Sequence, residues 1–447
     1  MSLYGTTNAF GKDMWLPGVT NQLENTPGTF YSDLSKIEPM RVEGRNAYFK
    51  VETTDSLGQS VIREAGDFPQ PIDPGYDEAT LAMARLAHTI QLTFEEYEML
   101  NTDAAAAVPV VARKMKKAVE KMQREIARQS LMDGSAVLAR CDTTTAATVV
   151  VLQQDVATSA NQVDRDAFNW IAPGRTVIDI VNATTGAAIA NGTGRTVAAV
   201  DRAAGTVTLD AAGGNVTTST SHVITWADSV EPFSSGSYVS GEFAGLNAIL
   251  GADRTYLGID SSAAGNSYWD ATIVDGSTSG TNEAISLERY MTLLNTVALS
   301  ADSGMQPDAA GGYKLYSNHG VVSAAIALLD DKIRYVNPGP GSTPDLSGGW
   351  RTVEGMGIEW RTDVHYPRYV LDILHMPSLH FVKPKNPLQE ILDFLTLDSG
   401  SIWHLGNAAA GQGHAAFARA YLTGMCGMMT DRPSNHGRLT DVTEVGT

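Results

Sequence analysis

Apolar residues at Val108, Val111, Met115, Val119, Met122 and Ile126 recur in steps of three and four. That spacing gathers them on one stripe of a helix with about 3.6 residues per turn. Arg113, Lys114, Lys116, Lys117, Lys121, Arg124 and Arg128 occupy most of the remaining surface. Pro109 suits the first helical turn, where its missing N–H is not needed. Asp133-Gly134-Ser135 supplies a glycine past the end, able to take the left-handed conformation that closes a helix. The pattern predicts one long, basic, amphipathic helix over 108–131, about 35 Å in length.

The preceding stretch has a different period. Asn46–Thr53 and Thr80–Leu92 are strand-like, the second with Ala82, Ala84, Leu86, Ile90 and Leu92 at alternate positions. Gly, Pro and Asp fill the segment between them, so the two strands form an outsized hairpin. Thr93-Phe-Glu-Glu96 is a capping-box pattern that starts a short helix through Leu100. Residues 1–40 are rich in turn formers and read as an extended arm.

Beyond Asp133-Gly134 the composition changes. No lysine occurs from Met122 to Tyr313, and short β-rich runs recur at Thr176–Val181, Arg195–Val200, Thr206–Asp210 and His222–Trp226. Small-residue turns separate them, which predicts a compact antiparallel sandwich or barrel. From 281 the pattern is α/β. Ser286 caps a helix carrying Leu287, Tyr290, Met291, Leu294 and Val297, and Lys314–Ser317 is a strand followed by Asn318 as a second cap. Strands follow at Gly357–Arg361, Tyr369–Leu374 and Leu379–Val382, then a helix opened by Pro387, a strand over Ala415–Met425, and a terminal tail from Arg432.

Charge adds a relation between two of these parts. Residues 51–78 carry seven acids against Arg63 alone, and residues 113–128 carry seven bases against Glu120 and Glu125. An acidic hairpin and a basic helix suggest complementary contact surfaces; the alternative is two solvated faces. A net charge of −18 over 447 residues argues against a general nucleic-acid binder, which needs a basic face. Two well-separated cysteines fit synthesis in a reducing compartment. No run of about 18 apolar residues suggests a membrane span.

Catalytic patterns find no foothold. The nine histidines form neither HxxxH nor HExxH, and no GxSxG elbow or GxxxxGK[ST] phosphate loop occurs. His375 and His380 read as strand residues in preference to ligands. Gly192-Thr-Gly194 and Gly411-Gln-Gly413 read as turns. The sequence predicts no catalytic residue, no cofactor site and no metal site.

The order of parts carries more. Gln91-Leu-Thr-Phe-Glu-Glu-Tyr-Glu-Met-Leu100, the helix after it, and Leu131-Met-Asp-Gly-Ser135 resemble the major capsid proteins of tailed bacteriophages. Those proteins share the Hong Kong 97-type fold with encapsulin nanocompartments. The resemblance implies an α+β chain: an N-terminal arm (1–40), an extended β-hairpin loop (41–92), a peripheral domain with its long spine helix (93–144) and an inserted all-β domain (145–230). A connecting segment (231–280) and an axial α/β domain with return strands (281–447) complete it. The all-β block departs from the minimal fold, although some members carry inserted domains.

The implied function is a structural one. Copies would self-assemble as pentamers and hexamers into an icosahedral virion shell around double-stranded DNA, the chain being made in a bacterial cytoplasm. A separate scaffolding protein, a portal and a decoration protein are the implied partners. Arg63, Glu64, Asp67 and Phe68 of the loop would meet Lys116, Lys117, Lys121 and Arg124 of a neighbour's helix. Some members crosslink through a loop lysine; none lies between Lys50 and Lys114, so contacts here would be non-covalent. An encapsulin-like compartment and another phage structural or adhesive protein stay open as alternatives.

Overall fold

The computed structural model describes residues 28–42, 46–54, 73–93, 107–153, 170–171, 173, 177–201, 204–226, 230–231, 239–251, 254–263, 266–275, 283–300, 312–330, 354–355, 358–384, 393–394, 404–405 and 417–444. The tip of the hairpin, the capping-box residues after Thr93, and the Pro/Gly-rich stretch 337–344 lie outside them.

The long helix spans Ala107–Leu131. Ala118, Met122, Ile126 and Leu131 are buried along one face, with Met115 and Val119 packed beside them. They rest on the strands Ala84–Thr93 and Phe417–Thr430, which pair antiparallel over ten residues from Ala84↔Cys426 to Thr93↔Phe417. Phe417–Thr430 is the backbone of this peripheral sheet. It also pairs with Leu379–Pro384, Asp393–Phe394 and His404–Leu405, and Met40–Val42 runs parallel to Leu379–Pro384. Asp393–Phe394 is thus a strand where the sequence suggests a helix after Pro387. Asp393 pairs with Thr423 and Phe394 with Leu422, and the rest of that stretch lies outside the described residues.

The predicted second hairpin strand is two strands. Gly75–Ala82 pairs with Asn46–Thr54, and Ala84–Thr93 joins the peripheral sheet. The buried phase switches between them, with Ala79, Leu81 and Met83 inside before the break and Ala84, Leu86 and Ile90 inside after it. Ala82, counted in the predicted apolar alternation, is exposed. A shift by one residue turns every side chain over, so a chain that leaves one sheet for another must change phase.

Thr29–Leu34 is a helix where composition predicts an extended arm. Phe30 and Leu34, four residues apart, are fully buried in the central core. The helix receives its cap from outside. Gly28 offers no side chain, and Asp363 accepts the Phe30 N–H at 2.9 Å.

Between the long helix and the α/β part lies a closed β-barrel. Its strands run in the order Val137–Arg140, His222–Trp226, Val177–Asn182, Arg195–Asp201, Thr206–Leu209, Val149–Val151. Closure comes where Asp142 N–H bonds Val151 O at 2.8 Å and Gln153 N–H bonds Arg140 O at 3.0 Å. Leu138, Val150, Ile178, Ile180, Val197, Val207 and Ile224 fill its interior.

The α/β part is a mixed six-stranded sheet in the order Thr272–Val274, Gly437–Leu439, Leu371–His375, Tyr313–Ser317, Ile358–Thr362, Glu354–Gly355. The helices Leu287–Ser300 and His319–Asp330 share its core through Leu293, Val297, Val321 and Ala325. Ser286 Oγ accepts the Arg289 N–H at 3.2 Å and Asn318 Oδ1 the Gly320 N–H at 3.0 Å, the two caps the sequence suggests. The terminal tail is corrected. Gly437–Leu439 is an interior strand, and Val442 and Glu444 are buried. Arg438 can sit there because its guanidinium takes both Asp372 oxygens at 2.8 Å.

Candidate assembly surfaces

The hairpin Asn46–Thr54/Gly75–Ala82 has one buried and one exposed face. Ala47, Phe49 and Leu81 point inward, Phe49 lying 6.3 Å from the Trp269 ring. The phenol of Tyr268 donates to Asp77 at 3.0 Å and ties the hairpin to the body. The outward face pairs Tyr48 with Thr80, Lys50 with Glu78 and Glu52 with Tyr76. Tyr48 is 62% and Tyr76 58% exposed. Two large aromatics bracketing charged positions on an open sheet face suit a contact surface, since tyrosine adds apolar area and a polar tip. Among the described residues Asn46–Thr54 pairs on one side only, and a cavity of about 700 Å³ runs along Phe49–Thr53 to Trp269 and Arg432. The period-2 pattern of Asn46–Thr53 held this signal, with Tyr48 opposite in phase to Phe49.

Of the residues proposed for contacts, Arg63, Glu64, Asp67 and Phe68 lie outside the described residues. Lys117, Lys121 and Arg124 follow one another at helical spacing on a solvent-facing stripe of the long helix, with Lys116 beside them. Lys116 makes only a loose pair with Glu120 at 3.8 Å. Lys121 acts through its charge on His88 of the strand Ala84–Thr93. Burial, and then that charge, hold His88 below the usual histidine range.

Arg128 corrects the sequence reading. It belongs to the basic set by type but is fully buried, where its guanidinium is held by Glu125 at 2.6 Å and by Glu242. Only the first part of the helix therefore presents a basic face.

A second cluster anchors the arm. Asp33 takes Lys36 at 3.0 Å, Arg361 at 3.0 Å, Lys314 at 3.3 Å and the Tyr316 phenol at 2.8 Å. Burial opposes ionisation of Asp33, but the phenol and the three cations hold its carboxyl below the usual range. Beside it the turn after Thr362 meets three parts of the molecule. Thr29 Oγ1 donates to Thr362 O, Tyr366 stacks on Tyr316 at 6.1 Å, and His365 lies 4.9 Å from the ring of Trp170. Nothing in the local sequence of Asp33 or Asp363 marks these long-range roles.

One serine–histidine contact invites a catalytic reading and fails it. Ser378 Oγ lies 3.3 Å from His436 Nε2, and Thr430 Oγ1 lies 3.0 Å from the same atom. The His375 N–H donates to His436 Nδ1, which leaves the ring proton on Nε2. With its proton on Nε2 the imidazole is a donor toward Thr430 Oγ1 and Ser378 Oγ and cannot take the serine's proton. Burial, then neighbouring His375, depress His436 to about 3, so it stays neutral. Among the described residues no group of three or more His, Cys, Asp or Glu side chains is placed to hold a metal, and no helix is long and apolar enough to cross a membrane.

No family model matches the sequence, and no curated protein matches it. Solved structures do. The capsid asymmetric unit of cyanophage A-1(L) superposes with a TM-score of 0.53 at 12% identity, covering 98% of this chain and 99% of that one. The chain has the Hong Kong 97-type capsid fold. Further likenesses at lower TM-score are the capsid of a native GTA particle (0.45, 11% identity, 99% of this chain and 100% of that one) and the SrpI encapsulin of Synechococcus elongatus (0.40, 8%, 99% and 96%). Within this fold, the long helix Ala107–Leu131 and the Asp133–Ser135 turn after it are parts on which the sequence resemblance rests.

Proposed function

We propose that the protein is the major capsid protein of a tailed bacteriophage, whose copies gather as pentamers and hexamers into an icosahedral shell around double-stranded DNA. The observation that carries this reading is the capsid fold over nearly the whole chain, matched end to end by the cyanophage capsid subunit. The two surfaces supply the contacts. Lys116, Lys117, Lys121 and Arg124 of one copy face the acidic hairpin and the Arg63–Phe68 segment of the next. Such pairing fixes register more than it adds affinity, and symmetry multiplies each modest contact. A scaffolding protein, a portal and a decoration protein complete the virion in this reading.

Electron microscopy of the purified chain tests it: closed particles of uniform diameter are expected, and small oligomers at every concentration would overturn it. Particles carrying protein cargo in place of DNA would point to an encapsulin-like compartment. Charge reversal tests the contacts separately. Lys117→Glu with Lys121→Glu, or Glu64→Lys with Asp67→Lys, should raise the concentration needed for assembly about tenfold or more. The same changes should leave monomer stability within about 0.5 kcal/mol. Normal assembly by both pairs would rule out the charge pairing and leave the shell reading standing.

A further inference from the structure

The chain passes between the long helix and the barrel at a neck of two adjacent crossings. The chain leaves the long helix at Leu131, turns at Asp133–Ser135 and enters the barrel at Val137; it returns through Glu242–Gly245. The two crossings touch backbone to backbone. Gly245 N–H bonds Met132 O at 3.0 Å. A Cβ on Gly245 would fall 2.1 Å from Gln129 O, and one on Gly134 would fall 2.9 Å from Ala244 N. Gly134 also sits at φ +82°, so both glycines are required for this close approach.

At the same place the outgoing and returning crossings share one cation. Arg128, with no exposed side-chain surface, takes Glu125 through Nε at 3.1 Å and through Nη2 at 2.6 Å. The same Nη2 donates to Glu242, whose side chain is 5% exposed. Asp133 adds a further negative charge nearby, and Arg124 a positive one beside Glu125. Two carboxylates on one buried guanidinium leave a net negative charge out of water, which a proton removes at less cost than ionisation. The two acids are not equivalent. Glu125 keeps some contact with solvent (24% exposed) and a Gln129 amide at 3.1 Å. Burial works against its ionisation, but Arg128, Gln129 and Arg124 hold it below its ordinary value. Burial drives Glu242 up to about 7 in spite of Arg128, with Glu125 and Asp133 pushing the same way.

We propose that Glu125, Arg128 and Glu242 form a proton-dependent latch on the neck, which clasps the barrel to the end of the long helix while Glu242 holds a proton and loosens when both carboxylates are charged. The latch is a property of the single chain and holds whether or not copies assemble into a shell. Its sign follows from linkage. A carboxyl raised by closure from 4.5 to about 7 favours the closed neck at low pH. That advantage is lost as pH rises from 4.5 to about 7 and is level above. Glu125, held low, titrates beneath this window.

Hydrogen exchange of the full chain tests it at the Gly245 amide, which bonds Met132 O across the neck, with barrel and helix amides as internal references. Wild type and Glu242→Gln are compared at each pH between 4.5 and 8, which cancels the intrinsic pH dependence of exchange. Neck protection in wild type should fall relative to Glu242→Gln by up to about tenfold per pH unit up to about 7. Parallel profiles for the two proteins would overturn the latch. Should Glu242→Gln fail to fold, wild type alone decides: neck protection, normalised to the barrel amides, must fall over the same window, and constancy overturns the proposal. Arg128→Met, which removes the shared cation, should raise neck exchange at every pH; unchanged exchange would also sink it.

Discussion

The hairpin Asn46–Ala82 and the barrel Val137–Trp226 are both antiparallel β structures made of short strands, and they treat their edges in opposite ways. The barrel closes on itself where Arg140–Asp142 meets Val151–Gln153, which joins its first and last strands. Its core is internal. The hairpin buries one face against the body, keeps Tyr48 and Tyr76 in solvent, and leaves Asn46–Thr54 paired on one side among the described residues. A two-stranded ribbon is marginal by itself in water. The barrel closes within one chain, and in the proposed shell the hairpin is the part that a neighbour would finish.

Four variants would break or sharpen that contrast. Ile224→Ala, in the barrel interior with no exposed surface, should cost about 2–5 kcal/mol in urea unfolding followed by circular dichroism. A loss under about 1 kcal/mol would mean that the barrel core is not self-sufficient. Leu81→Ala, at the root of the hairpin against Gly427, should cost about 2–3 kcal/mol, near the lower end for such changes because the site adjoins surface that can relax. Proteolysis should then cut the hairpin before the barrel. Simultaneous release of both would show that they unfold as one unit.

Gly134→Ala acts between the two regions. It places a Cβ at φ +82° against the Ala244 backbone and should cost about 1–3 kcal/mol. Near-ultraviolet circular dichroism should show the loss while far-ultraviolet signal persists. Tyr48→Ala with Tyr76→Ala should have the smallest effect on the monomer, within about 0.5 kcal/mol, because both side chains are largely in water. Its effect should appear in assembly, as fewer closed particles by electron microscopy. A monomer destabilised by more than about 1 kcal/mol would mean that this face already has a partner within its own chain.

Much of the fold is legible from local pattern. The long helix ends where its stripe and the Asp-Gly-Ser turn place it, and Asp133 Oδ1 accepts from the Ser135 N–H at 2.9 Å to shape that turn. His222–Trp226 and Arg195–Asp201 stand where alternation and small-residue turns put them. The candidate surface divides. Lys116, Lys117, Lys121 and Arg124 lie on the solvent side of the helix, as their positions off the apolar stripe imply. Arg128, two residues beyond the last apolar position of that stripe, goes inside because Glu242 waits 114 residues downstream. No window of local sequence contains that partner.

The same division holds for the errors. Thr29–Leu34 is helical because Asp363 caps it from 333 residues away and Phe30 and Leu34 find a seat in a core built later in the chain. Gly437–Leu439 looks like a tail by its turn formers, yet it is held between Leu371–His375 and Thr272–Val274, with Asp372 neutralising Arg438. The phase change at Met83 marks a passage between two sheets that alternation alone reads as one strand.

By itself the sequence determined the long helix, the barrel strands and which of their faces are apolar, because backbone geometry imposes periods of about 3.6 and 2 on any chain that buries one side. It also placed the charges, acidic before the long helix and basic along it. Only the tertiary structure decided which strand leaves one sheet for another and which arginine is buried. It likewise decided that the barrel closes while the hairpin stays open. Those outcomes depend on partners hundreds of residues apart, whose burial and hydrogen bonding are settled by the whole fold and by no local window.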